Sequence, residues 1–231
     1  MSTTKALKMA ALGTAMAAVF ATGPVAAFEA GDIIVRVGGA KVTPDDSADD
    51  FNGSLAQSLG SLKPGVQNDT KPSLIVGYMV TDNIGLQLLA AVPFNHDLTA
   101  DLNGTSLGKV GKTRHLPPTL TLNWHFDKIG AVTPYVGAGV NYTHFFDEST
   151  SGVLDDLGNT VDSKIKNINL DDSWGAAGVA GFDADLGENF LFNMTLYYLD
   201  ITTEAHIGGG IGNSDVDVDP WVISTGFGYK F

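Results

Sequence analysis

Apolar and polar residues alternate with a period of two along most of the chain after residue 27, the signature of strands whose two faces meet different surroundings. From Leu116 to Phe126, the positions Leu116, Pro118, Leu120, Leu122, Trp124 and Phe126 share one face, and Pro117, Thr119, Thr121, Asn123 and His125 share the other. Val136, Ala138, Val140 and Tyr142 alternate likewise with Gly137, Gly139, Asn141 and Thr143. Phe190, Phe192, Met194, Leu196 and Tyr198 do so with Leu191, Asn193, Thr195, Tyr197 and Leu199. Extended over the chain, the pattern predicts eight strands near residues 30–42, 71–80, 84–94, 114–126, 133–146, 173–186, 190–202 and 219–231.

The connections alternate too. Thr81–Asn83, Asp127–Val132 and Gly187–Asn189 are short, whereas 43–70, 95–113, 147–172 and 203–218 are long. Short turns at one end, long loops at the other and an even strand number describe an all-β, antiparallel transmembrane β-barrel with periplasmic turns and extracellular loops. A soluble barrel with an apolar calyx alternates as well. The membrane reading rests on the chemistry of the faces. The inner positions include Arg36, Gln87, Thr119, Thr121, Asn123, His125, Asn141, Thr143, Asn193 and Thr195, which suit a narrow polar lumen. Aromatic residues gather near strand ends, at Phe94, Trp124, Phe126, Phe145, Phe146, Phe190, Tyr198, Trp221, Tyr229 and Phe231, where interfacial girdles belong. Closure leaves no strand edge unpaired in hydrocarbon. Eight strands enclose little more than their own side chains.

The first 27 residues read as a secretory leader and 28–231 as the barrel. Lys5 and Lys8 precede the apolar run Met9–Thr22, which stops at Gly23-Pro24, and Val25-Ala26-Ala27 offers small residues at a cleavage site. That run is short for a membrane-spanning helix.

Composition narrows the chemistry. The 231 residues carry 13 Lys and Arg against 26 Asp and Glu, a net charge of −13, which argues against nucleic-acid partners. Loss of Lys5 and Lys8 with the leader takes −13 to −15. The absence of cysteine excludes disulfides, Cys-type zinc sites and Cys nucleophiles.

Three segments carry a family resemblance: Ala91-Val92-Pro93-Phe94-Asn95-His96, Arg114-His115-Leu116-Pro117-Pro118-Thr119-Leu120, and Pro134-Tyr135-Val136-Gly137-Ala138-Gly139-Val140-Asn141-Tyr142-Thr143. With the terminal Gly226-Phe227-Gly228-Tyr229-Lys230-Phe231, they resemble the OmpW family, which includes the AlkL-type proteins. The resemblance implies an eight-stranded outer-membrane barrel that passes small hydrophobic molecules inward, AlkL-type members being associated with alkane uptake. It implies neither a cofactor nor an enzymatic activity. Its expected surroundings are outer-membrane lipid and lipopolysaccharide, with the C-terminal strand read by the barrel-assembly machinery. In the first long loop, Phe51–Leu62 reads as a short amphipathic helix.

Several residues invite a functional reading. Pro93, Pro117 and Pro118 fall near the outer end of one hairpin and supply no backbone donor, so they either end strands at a loop or mark a lateral gate in the wall. Ile75, Leu89, Trp174 and Leu199 count as inward near the outer end, as a substrate path or as filling of a tapered barrel. Arg36, Gln87, Thr121, Asn123, His125, Asn141 and Asn193 form the polar lumen. His96 and His115 flank one outer loop, but no third ligand accompanies them and no metal is expected. Scattered Ser, His and acidic residues without a Gly-x-Ser-x-Gly elbow offer no catalytic site. The alternative to a conduit is a structural, adhesive or receptor barrel.

Overall fold

A computed structural model of the chain describes residues 27–45, 47–53, 57, 60–150, 168–208 and 211–231. The alternating segments become β1 (Ile33–Thr43), β4 (Asp69–Met79), β5 (Ile84–Ala91), β8 (Thr119–His125), β9 (Val132–Thr150), β11 (Ser173–Gly187), β12 (Phe190–Leu199) and β15 (Trp221–Lys230). The long connections add β2 (Ser47–Ala48), β3 (Leu62–Val66), β6 (Phe94–Leu102), β7 (Thr105–Leu116), β10 (Ile168–Leu170), β13 (Thr202–Ile207) and β14 (Gly212–Asp217). The first eight pair antiparallel with their neighbours and close on themselves through β9–β11 and β1–β15.

Facing follows the pleat. In β8, Thr119, Thr121, Asn123 and His125 are buried, while Leu120, Leu122 and Trp124 are exposed. Val37, Leu74, Val76, Leu88 and Phe227 join that outer band. A continuous apolar belt of this kind suits lipid, where a watery surface would not tolerate it. Glycines let the wall strands approach closely. A Cβ on Gly139 would lie 1.9 Å from the Leu120 carbonyl oxygen, so no side chain fits there.

Two features differ from the sequence expectation. The strand expected over 114–126 is two strands, because Pro117 and Pro118 interrupt its ladder: β8 pairs with β5 up to Leu89↔Thr119, and β7 pairs with β6 from Phe94↔His115. The long connections are also largely strand. β3, β6 and β7 extend the upper part of β9 into an outer wall, and β10, β13, β14 and β2 form a four-stranded sheet beside it. Leu98 and Ala100 point inward against exposed Asn95 and Asp101, so the period of two continues beyond the membrane. Of the helix expected over Phe51–Leu62, Gln57 donates its N–H to the Gly53 oxygen, residues 54–56 and 58–59 lie outside the described residues, and Leu62 opens β3.

Candidate functional site

Inside the barrel, many of the polar inner positions are tied to one another, while the side-chain polar atoms of Thr121, Asn123 and His125 are buried without a hydrogen-bond partner among the described residues. Arg36 donates to both carboxylate oxygens of Asp183, from Nε at 2.9 Å and Nη2 at 2.6 Å. Its Nη1 reaches Gln87 Oε1 at 3.3 Å, and Gln87 Nε2 donates to the Tyr197 hydroxyl at 2.7 Å. Asn193 Nδ2 donates to Asp183 and to the Tyr135 hydroxyl, which meets Thr195 Oγ1 at 2.5 Å. Each of these side chains is buried. Charge pairing and shared hydrogen bonds offset the desolvation that an isolated charge there would suffer. Nearer the outer end, Asn141 donates to Thr119 Oγ1 and accepts from Thr143. The lumen is thus filled by its own side chains, as expected of an eight-stranded barrel.

Thr121, Asn123 and His125 face the same lumen, fully buried, and His125 packs against Phe28 at 5.2 Å and Tyr135 at 5.0 Å. Ile75, Leu89 and Leu199 are buried inward in one apolar cluster with Ala177 and Val222. Trp174 is not among them. It is 75% exposed and lies against Tyr142 at 4.7 Å on the outside. The parity of β11 explains the correction: Ser173, Ala177 and Val179 hold the inner positions, and register pairs Trp174 with outward-facing Tyr142.

Above the lumen, between the outer wall and the four-stranded sheet, lies a chamber that Ile75, Leu89 and Leu199 do not line. Its walls are Val42, Phe51, Leu62, Leu98, Val110, Phe145, Ile168, Leu170, Ile207 and Val216, with few polar side chains. The space open to the centre of a water molecule is ≈ 60 Å³. One water needs about 10–15 Å³ by that measure. Val42 and Phe145 fall in predicted strands; the other lining residues were missed because they fall in segments read as loops. The signal that finds them is the short alternation of Asp97-Leu98-Thr99-Ala100-Asp101-Leu102 and of Thr203-Glu204-Ala205-His206-Ile207.

Between chamber and lumen the wall is broken. Ala90–Pro93 on one side and Leu116–Pro118 on the other are left out of the ladder that joins β5 to β8 and β6 to β7. Three of these residues, Pro93, Pro117 and Pro118, have no N–H to close it. The break sits at the outer aromatic girdle, since the Pro118 carbonyl accepts from the N–H of Tyr142, the ring beside Trp174. Val92 is 52% exposed on the outside of the break. His115 and Phe94, paired immediately above it, belong to the first closed rung of the outer wall.

His96 and His115 do meet, their Nε2 atoms 2.7 Å apart. No carboxylate or third imidazole joins them as a ligand set among the described residues. Among the described residues, the side chains that gather as a possible metal set are instead Asp171, Glu204 and His206. His206 lies 3.4 Å from Asp171 and 4.0 Å from Glu204, and a hydrogen bond with Asn213, followed by these carboxylates, raises its pKa, so ion pairing accounts for the cluster.

Comparison with known proteins agrees with this architecture. The chain is 39% identical to outer membrane protein W of Vibrio cholerae serotype O1, over 97% of this chain and all of that one. It is 26% identical to outer membrane protein AlkL of Ectopseudomonas oleovorans, over 89% of this chain and 85% of that one. The crystal structure of OprG from Pseudomonas aeruginosa superposes with a TM-score of 0.77 at 41% identity, covering 90% of this chain and 99% of that one. Residues 29–231 match the model of the OmpW family. A closed eight-stranded barrel with an apolar belt, matched along its whole length in this way, places the chain in the OmpW family of outer-membrane proteins, a family of non-enzymatic barrels.

Proposed function

We propose that the protein is a passive conduit for small hydrophobic molecules, which enter the outer chamber from the cell surface and leave sideways through the wall into the bilayer. The observation that carries this reading is the order of three features: an apolar chamber, a break in the ladder beneath it, and a lumen closed by the Arg36–Asp183 network. A molecule in the chamber meets packed polar side chains below and an unladdered wall beside it. Energetics favour the sideways route. An alkane gains about 0.8 kcal/mol per CH₂ removed from water, which a polar lumen forfeits and a short step into lipid retains. Pro93, Pro117 and Pro118 are then the lateral gate. Ile75, Leu89 and Leu199 fill the lumen beneath the chamber. No energy source or cofactor is needed.

The surroundings follow from the same placement. On this reading, outer-wall ion pairs such as Arg114 with Asp147 and Lys109 with Asp97 would face lipopolysaccharide. The closing strand β15, ending in Phe231, is the segment the assembly machinery would engage.

The test is uptake of a medium-chain alkane and of a similarly sized sugar by cells with and without the protein, after a heat-modifiable gel shift demonstrates the folded barrel. Faster alkane entry with unchanged sugar entry is expected. No change in either supports a structural, adhesive or receptor barrel instead.

A further inference from the structure

One ring nitrogen of the chamber lining stands unpaired. His96 Nδ1 meets the backbone oxygen of Gln67, and an oxygen of that kind only accepts, so His96 carries its proton on Nδ1. Its Nε2 therefore presents a lone pair. The 2.7 Å contact between the two Nε2 atoms takes its proton from His115, which donates to His96. Nδ1 of His115 is then left as an unprotonated acceptor. It is buried and has no hydrogen-bond partner among the described residues. The ring is held between Phe94 and Phe145, with centroids at 5.5 and 5.8 Å. Burial, reinforced by the neighbouring imidazole, pushes the pKa of His115 down to about 3, and burial lowers that of His96, so neither ring takes a second proton at neutral pH.

Two hydroxyls of the chamber lining are already engaged elsewhere. Thr113 Oγ1 donates to the Arg114 oxygen and Thr203 Oγ1 to the Asp171 oxygen. An acceptor without a donor in an apolar wall is unfavourable, and a ligand bringing one O–H relieves it.

Resting on the conduit reading, we propose that the chamber prefers apolar molecules that carry one hydrogen-bond donor, medium-chain primary alcohols being the simplest, with the His115 ring turning from its place between Phe94 and Phe145 so that Nδ1, closed to a water-sized molecule as it stands, accepts from the hydroxyl. A plain alkane fills the same space and leaves the nitrogen unpaired. An ether of equal length brings a second acceptor against the first.

The test uses the full mature protein in lipid bicelles with ¹⁵N-labelled histidine, titrated with 1-octanol, octyl methyl ether and n-octane. Saturable 1-octanol binding should shift the His115 Nδ1 resonance toward its hydrogen-bonded position and be about tenfold tighter than ether binding. The ether and n-octane should leave that resonance in place. Equal affinities for alcohol and ether, or an unmoved Nδ1 resonance at saturating 1-octanol, overturns the proposal. His115→Phe keeps the aromatic ring and should bring the alcohol down to the ether's affinity. The ligand comparison in the unaltered protein decides the matter even where that variant does not fold. Uptake of n-octane by cells judges the conduit separately: uptake together with equal alcohol and ether affinities defeats the alcohol site alone.

Discussion

Arg36 and Asp183, 147 positions apart in the chain, face each other across the lumen with two hydrogen bonds, each side chain almost fully buried. Removing one partner strands the other's charge in the interior. Asp183→Ala should destabilise the folded barrel by about 3–5 kcal/mol. Urea unfolding in lipid vesicles measures this. Arg36→Met combined with Asp183→Ala should be more stable than Asp183→Ala alone, because no unpaired charge remains.

The wall itself sets a second expectation. At Gly139 an added Cβ would sit 1.9 Å from the Leu120 oxygen and 2.6 Å from the Thr121 Cα, backbone atoms that cannot move without distorting the ladder. At Gly39 the nearest atom is 4.0 Å away. Gly139→Ala should therefore cost at least about 1–3 kcal/mol and Gly39→Ala far less. The fraction of heat-modifiable protein on gels reads the difference.

Much of this architecture is legible in the chain. Period-two alternation placed Thr119, Thr121, Asn123 and His125 inside and Leu120, Leu122 and Trp124 outside, because lipid and lumen impose opposite polarity on alternate residues. Trp174 was misread because the glycines and alanines beside it carry no polarity with which to fix the parity of β11. The chamber escaped detection for a different reason. Its lining is drawn from nine separate segments, most of them showing a short alternation at best, and tertiary pairing brings Phe51, Leu98, Ile168, Ile207 and Val216 together. The meeting of His96 and His115 was foreseeable from their positions flanking one hairpin. Their tautomers are fixed by a backbone oxygen that no side-chain pattern announces.

Pro93 offers a direct trial of the lateral route. Valine there restores an N–H to the stretch between Leu89 and Phe94, which pairs with β4 but not with β8 or β7, and allows that second ladder to tighten. Pro93→Val should bring alkane uptake toward the empty-vector level while the heat-modifiable shift is retained. Unchanged uptake by the folded variant would count against the gate.

Acid should loosen the outer wall before the barrel. Burial disfavours the charged forms of His115, down to about 3, and of His96, whereas in the unfolded chain both protonate near 6.5. Between about pH 6.5 and 3 the unfolded segment binds more protons, so this contribution is complete above the window and is lost as the pH falls through it. Asp69 and Asp97 oppose the downward shift of His96, and Lys71 adds to it. Amide signals of β6 and β7 should broaden or vanish between pH 7 and pH 4.5 while those pairing β11 with β12 persist. His115→Phe should reduce the effect.

The periplasmic end provides the last expectation. Phe28 is buried against Ile34, Met79 and Leu191, with its ring edge-on to His125. It seats the approach to β1 against the lumen floor, one residue after the Val25-Ala26-Ala27 segment read as the cleavage site. The mature protein recovered from outer membranes should therefore begin at Phe28, which N-terminal sequencing decides directly. Phe28→Ala removes a buried aromatic and should cost about 3–5 kcal/mol if the surroundings stay rigid. A smaller loss is expected if the freed N-terminal segment lets lipid or water reach His125, and the His125 ring resonances distinguish these cases.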